Sequence, residues 1–371
     1  MSSPQSHPAP RTRGSLLLPI GLVVVLLAAA GGYYWYERSK NQPPAIDEFQ
    51  NLKPFFTKLG ENQSLAAGYA DADKDLVADP PTDTTKLLNV PEIGFTTVGT
   101  DDEERLKAEQ EEWQALMTAL QAATGKPVKY LTDVTSPETQ VDAVKAGRLH
   151  VTAFNTGAVP TAVNTAGFVP LFCAADAQGN YSIRMEMLVR ADSPIQKPED
   201  LRGKTLGFVA LSSNSGGKAP MVVLKEKYGM LPGRDYTFKL TGTHEASIAA
   251  LASGTDYDAV CVASDLKERA LAAGKVRVPG QKDEKEVRAD QFRVIYTSDP
   301  FPPLCFGVPH NLPPDVRANV EKAFSGFAFS PAAGKKNFGQ GRAKFARVNY
   351  EKDWKFVREI DATLSGFAKL P

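Results

Sequence analysis

The chain has 371 residues, enough for one large two-lobed unit or two domains; 42% of them are hydrophobic and no long charge block occurs, which excludes bulk disorder. Lysine plus arginine number 43 and aspartate plus glutamate 43, with the signs interspersed, so there is no basic footprint for nucleic acid. Cys173, Cys261 and Cys305 lie far apart in apolar runs without a C-x-x-C pair, which argues against a zinc or thioredoxin-type site and for buried free thiols; an oxidising compartment leaves one Cys261–Cys305 disulfide open.

A short tail, residues 1–15, precedes the stretch 16–36, "LLLPIGLVVVLLAAAGGYYWY", roughly 21 residues without a charge and so long enough to span a bilayer. Arg11 and Arg13 flank its start and the aromatics Tyr33 to Tyr36 close it like an interfacial belt. This predicts a single N-terminal transmembrane anchor with residues 37–371 exported to the periplasm-facing side of the inner membrane. A cleaved signal peptide, Leu16–Leu27 followed by a cleavage site at Ala28-Ala29-Ala30, is the rival reading, and both carry the remainder across the membrane.

Residues 37–90 read as an irregular leader or linker. Within it, "DADKDLVAD" sets Asp71, Asp73, Asp75 and Asp79 at loop positions 1, 3, 5 and 9, as in EF-hand-like and thrombospondin type 3 calcium loops. Position 6 is Leu76 rather than glycine and position 12 is Thr82 rather than glutamate, so a solvated acidic linker competes with Ca2+ as the reading. No other cofactor is called for.

The globular pattern begins at "EIGFTTVG", a strand ending in glycine. A helix follows over about 101–124, with Thr100 as its N-cap and Leu106, Trp113, Leu116, Met117 and Leu120 at helical spacing. Then come strand "PVKYLT", a helix near 137–146, strand "LHVTAFN", a helix near 159–166, strand "FVPLF" and the long extended "YSIRMEMLVR". A second set repeats the alternation: "KTLGFVAL", helix 217–229, "YTFKLT", helix 244–253, "YDAVCVA", helix 265–273. An exposed hairpin or loop, "GKVRVPGQKDEKEVRADQ", precedes strand "FRVIYTS" and the proline-rich "DPFPPLCFGVP". Helices near 314–326 and 351–368 close the chain. Alternation predicts parallel sheets flanked by helices, and the extended segments near 181–190 and 291–308 predict two crossovers joining two lobes around a cleft.

Where "TLGFVAL" meets the helix after it, the chain reads "SSNSGG", Ser212 to Gly217. Amides at a helix start lack internal partners and carry partial positive charge, and the side chains of Ser213, Asn214 and Ser215 add donors, so an anionic tetrahedral group fits. A Walker A loop fails because Ser212 replaces its first glycine and Ala219 follows Lys218, and no G-x-S-x-G elbow is present. A plain N-cap and turn is the bland alternative. Two more polar loops weigh against it: His244 in "TGTHEAS" and Asn155-Thr156 in "AFNTGAVP". Lys218 reads as a solvated first-turn lysine, with a charge directed at the anion as the alternative role. No activated nucleophile, paired carboxylates or metal triad supports catalysis.

These stretches carry a resemblance. From Glu92 to about Ser325 the chain is similar to the phosphate/phosphite/phosphonate substrate-binding proteins of ABC transporters. The similar stretches are "IGFTTVGTDDEERLKAEQEEWQALMTALQAATGKPVKY", "QVDAVKAGRLHVTAFN", "KPEDLRGKTLGFVALSSNSGG", "GTHEASIAALASGTDYDAV" and "VIYTSDPFPP". The resemblance implies an α/β, two-lobed, type 2 periplasmic-binding-protein-like fold, each lobe a mostly parallel sheet flanked by helices. It assigns residues 91–182 plus 297–371 to one lobe and 183–296 to the other. It also implies that Ser212, Ser213, Asn214, Ser215 and Gly216 hold the oxyanion, with Asn214 where the family has threonine, and that His244 touches it. The family's first-lobe glycine-proline pair and tyrosine are replaced by Asn155, Thr156 and Val159. Asp265, and less directly Asp299, occupy regions where aminophosphonate binders place acids, although such acids also cap helices. The implied role is capture of a small oxyanion for an ABC permease and ATPase; the same fold tethered as a sensor or scaffold is the alternative.

Overall fold

The computed structural model describes residues 48–97, 103–254, 256–277, 284–331 and 341–371. The predicted span 16–36 and the Thr100 cap lie outside the described residues, among which no helix is long and apolar enough to cross a membrane.

Two mixed sheets carry the architecture. The first comprises β1 (Ile93–Thr96), β2 (Val128–Tyr130), β3 (Val151–Phe154), β4 (Phe168–Ala175), β12 (Cys305–Pro309) and β13 (Lys344–Arg347), in the order β13-β4-β12-β3-β1-β2. The second comprises β5 (Met185–Arg190), β6 (Thr205–Phe208), β7 (Thr237–Leu240), β8 (Ala259–Ala263) and β11 (Phe292–Thr297), in the order β11-β5-β8-β6-β7. In each, three neighbouring strands run parallel: β2-β1-β3 and β7-β6-β8. The other pairings are antiparallel, so the sheets are mixed rather than mostly parallel as the resemblance implied. The "GKVRV…KEVR" segment forms the small hairpin β9 (Lys275–Arg277) and β10 (Glu284–Glu286).

The crossovers run side by side: Ile183 and Phe301 exchange both backbone hydrogen bonds at 2.9 Å. These two paired segments connect the two sheets. Helix Glu103–Thr124 buries Trp113, Leu116 and Leu120 and leaves its other face polar, as its spacing predicts. Trp113 meets Phe306 of β12 edge-on at 4.9 Å, and Phe324 of helix Pro314–Gly326 meets the same ring at 5.3 Å.

The leader differs from the irregular segment the sequence suggested. Glu48–Glu61 is a helix with Phe49, Leu52, Phe56 and Leu59 buried. Its four apolar residues at i, i+3, i+7 and i+10 are a helical stripe. Pro54 sits inside it but does not end it. The stripe packs against the C-terminal helix Lys355–Phe367, where the Phe56 and Phe367 rings lie 5.5 Å apart. At one end Arg234 stacks on Phe49 at 4.7 Å; at the other Asn164 Nδ2 donates to Asn62 O at 2.7 Å. The C-terminal helix, grouped with the first sheet by continuity of sequence, packs on helix Ala219–Tyr228 beside the second sheet.

All three cysteines are free and buried. Cys261 stands on the second sheet while Cys305 stands on the first, directly opposite Cys173, so the Cys261–Cys305 disulfide is not formed.

Candidate ligand-binding site

Parallel strands end together, and the loops that follow them share one edge of the sheet. On β7-β6-β8 those loops hold the "SSNSGG" turn, "TGTH" and Ser264-Asp265. Hydrogen bonds lock them: Thr241 N and Gly242 N donate to Phe208 O and Val209 O at 2.7 and 3.0 Å. Ala263 N donates to His244 Nδ1 at 3.2 Å. The helix His244–Ser253, capped by Thr243, thus reaches from the end of β7 across to the end of β8, passing the turn that follows β6. Strand order and these backbone bonds put the loops that carry Ser212–Gly216, His244 and Asp265 on one edge of the sheet.

The turn itself is a π-helical segment, Asn214–Lys218, running into helix Ala219–Tyr228. Ser213 Oγ accepts from Gly216 N at 3.0 Å, which leaves its own proton to donate elsewhere. Asn214 and Ser215 are buried, and neither Asn214 Oδ1 nor Nδ2 has a partner among the described residues. Gly217 is required here, since a Cβ would lie 2.2 Å from Ala210 O.

Electrostatics fix the donor character of His244. Burial pushes its pKa down to about 4; Glu245 opposes this, and Arg269 and Arg105 add to it. The imidazole is therefore neutral at pH 7, and because Nδ1 accepts from Ala263, the proton sits on Nε2. Burial alone would raise Glu245, but its ion pair with Arg269 brings it down to about 2. Asp265 is raised by burial, partly offset by Arg342, and its Oδ1 is buried without a partner among the described residues. Arg105 lies on helix Glu103–Thr124 and Arg342 just before β13, so charges from elements beside the first sheet act on His244 and Asp265 of the second. Asp299 is exposed.

From the first sheet, the loop after β3 closes onto the turn. At Gly157 a Cβ would stand 2.2 Å from Ser212 O and 2.8 Å from Asn214 N, so only glycine permits this approach. Asn155 Oδ1 accepts from Ala158 N at 3.0 Å, leaving its amide protons as the donors it could offer a ligand. Thr156 does not present its hydroxyl as a ligand donor: Oγ1 donates to Pro302 O in the crossover at 2.6 Å, and Trp354 Nε1 donates to Thr156 O at 3.1 Å.

Lys218 is not the solvated lysine its place in a first turn suggested. It is 1% exposed, and Nζ donates to Gly157 O at 2.7 Å and pairs with Asp361 Oδ1 of the C-terminal helix at 2.5 Å. Its charge is thereby neutralised beneath the turn instead of facing a ligand. Lys218, Asp361 and Trp354 hold the two loops in register; the sequence alone suggested a different role for Lys218 and none for Asp361 or Trp354. One signal was available: Asp361 lies on the buried stripe Val357, Ile360, Leu364, Phe367, where an acid needs a partner.

In the leader, single carboxylate oxygens of Asp71, Asp73 and Asp75 lie within 4.8 Å of one another, and Asp71 Oδ1 is buried without a partner among the described residues. Asp79 Oδ2 instead accepts from Ala72 N at 2.7 Å and closes the loop.

Residues 102–354 match the family model described as the periplasmic phosphonate substrate-binding protein of ABC transporters. Solved structures agree in fold. A binding protein component of an ABC phosphonate transporter from Pseudomonas aeruginosa is 18% identical, covering 75% of this chain and 88% of that one, with a TM-score of 0.60. A protein from Prochlorococcus marinus in complex with methylphosphonate is 14% identical over 74% and 99%, with a TM-score of 0.58. One from Xanthomonas citri bound to chloride is 19% identical over 75% and 98%, with a TM-score of 0.54.

Proposed function

We propose that this chain, which belongs to the family of ABC-transporter periplasmic phosphonate-binding proteins, captures a phosphate-like oxyanion (phosphonate, phosphite or phosphate) between its two sheets and delivers it to a permease and ATPase. It is a binding protein rather than an enzyme. The observation that carries the reading is the shared sheet edge of three strand-end loops, Ser212–Gly216, Thr243–His244 and Ser264–Asp265, with Gly157, from the loop after β3 of the first sheet, packed against the first of them.

The donors in this reading are the Ser213 and Ser215 hydroxyls, the Asn214 and Asn155 amides, the His244 Nε2–H and the backbone amides of the turn. All are neutral, and Lys218 is balanced by Asp361, so the ligand's charge is met by dipoles. Five or six hydrogen bonds to an anion, at ~1.5–3 kcal/mol each, supply ~8–18 kcal/mol against an association cost of ~4–15 kcal/mol, so micromolar binding, which needs ~8 kcal/mol net, requires strong bonds and a preorganised site. Motion about the Ile183–Phe301 ribbon would open and close the cleft.

The residue 16–36 segment belongs to this reading as the anchor that keeps the protein beside its permease. The acidic loop belongs to it as a calcium site: three carboxylates spaced for one hard cation, one of them with a buried oxygen that has no partner among the described residues, fit Ca2+ by donor chemistry.

Thermal-shift titration of residues 48–371 with phosphate, phosphite, methylphosphonate, 2-aminoethylphosphonate and sulfate tests the capture reading. At least one oxyanion is expected to raise Tm, and Ser215→Ala together with His244→Ala to remove the shift. An unchanged response in that double variant would move the ligand elsewhere.

A further inference from the structure

Within the "SSNSGG" turn several backbone groups and Ser213 Oγ have fixed partners, whereas the buried carboxamide of Asn214 has none among the described residues. Ala219 N donates to Asn214 O, Lys218 N to Ser213 O, Gly216 N to Ser213 Oγ and Val209 N to Gly216 O. Above the turn, Gly157 covers the Asn214 backbone amide. Asn214 is 2% exposed, yet its Oδ1 and Nδ2 both lack a partner among the described residues. A buried carboxamide unpaired at both ends is a costly arrangement unless something arrives to complete it.

The missing partner has a definite chemistry. A carboxamide offers donors at one end and an acceptor at the other, and rotating it by half a turn only exchanges the ends. A fully ionised oxyanion has lone pairs alone: it takes the Nδ2 protons and leaves Oδ1 facing another oxygen. A singly protonated oxyanion satisfies both ends, one oxygen accepting from Nδ2 and its hydroxyl donating to Oδ1.

Resting on the capture reading, we infer that Asn214 selects protonated oxyanions, hydrogen phosphonates and hydrogen phosphate, over fully ionised ones of the same shape. The discrimination comes from the acceptor end. Sites built to receive a ligand hydrogen-bond donor reject isosteres without one, because a buried lone pair is then left unpaired.

Methylphosphonate and methanesulfonate make the test. At mildly acidic pH both are tetrahedral monoanions with one methyl group, but only methylphosphonate carries a proton on oxygen. Calorimetric titration of the wild-type chain is expected to give methylphosphonate an advantage of ~10–100-fold, and phosphate a similar one over sulfate. Asn214→Leu, which removes both ends of the amide, is expected to bring each pair to within about threefold, and Asn214→Thr to narrow it. Equal wild-type affinities within each pair, or a ratio kept in Asn214→Leu, would overturn the inference while leaving oxyanion capture intact. A wild-type chain that takes none of the four anions refutes the capture reading itself, and the role of Asn214 falls with it. The wild-type ratios decide the matter even where Asn214→Leu fails to fold.

Discussion

Asp361→Leu removes one half of the ion pair beneath the "SSNSGG" turn. Lys218 and Asp361 have side chains only 1% and 3% exposed, so neither charge can turn to water. With Asp361 gone, Nζ keeps a single carbonyl partner, Gly157 O. Breaking a buried pair from one side costs about 3–5 kcal/mol, because the remaining charge is left uncompensated. The two single variants should not cost the same. In Lys218→Met the carboxyl left behind can take up a proton, a form burial already favours since it raises the Asp361 pKa even beside Lys218. A buried lysine has to lose its proton to reach the neutral form. The expected order at pH 7 is Asp361→Leu least stable, Lys218→Met intermediate, and the double variant Lys218→Met/Asp361→Leu within about 1–2 kcal/mol of wild type. Urea unfolding followed by circular dichroism reads all four corners of the cycle, with the coupling expected at about 2 kcal/mol or more. Additive effects, or single variants each within about 0.5 kcal/mol of wild type, would refute the reasoning and return Lys218 to solvent.

Three further outcomes follow from the same geometry. Gly157→Ala would set a methyl 2.2 Å from Ser212 O, so oxyanion affinity is expected to fall at least about tenfold while the far-ultraviolet spectrum is unchanged, and X-ray scattering should report a more open chain. His244 has a folded pKa of about 4, below its unfolded value near 6.5; the unfolded chain binds the extra proton between these values, so stability is full above about 6.5 and falls as pH drops toward 4. His244→Gln is expected to flatten that part of the stability profile, and an identical profile would show that the imidazole is not held neutral. Calcium at about 1 mM is expected to raise Tm, and Asp71→Asn/Asp73→Asn to remove the increase; no calcium response in the wild type would leave the loop as an acidic turn.

Local chemistry wrote much of this protein into its sequence. Strand and helix periods placed the elements of both sheets except the edge strand β13, since side-chain alternation and the 3.6-residue stripe are properties of a few consecutive residues. The "SSNSGG" turn and "TGTH" loop were legible for the same reason: caps, glycines and short polar side chains act within three or four residues. That these loops lie on one sheet edge rested on strand order, which β7-β6-β8 pairing decided. The uses of individual polar groups were further out of reach. Lys218 finds Gly157 sixty-one positions away and Asp361 one hundred and forty-three away; Thr156 gives its hydroxyl to Pro302. The leader helix likewise buries its stripe only because the C-terminal helix is there to receive it. A sequence fixes which residues can donate, accept or hide from water, because those are properties of each side chain and its nearest neighbours. Which of them are left over for a ligand is set by the path of the whole chain, because a hydrogen bond made within the fold is no longer on offer outside it.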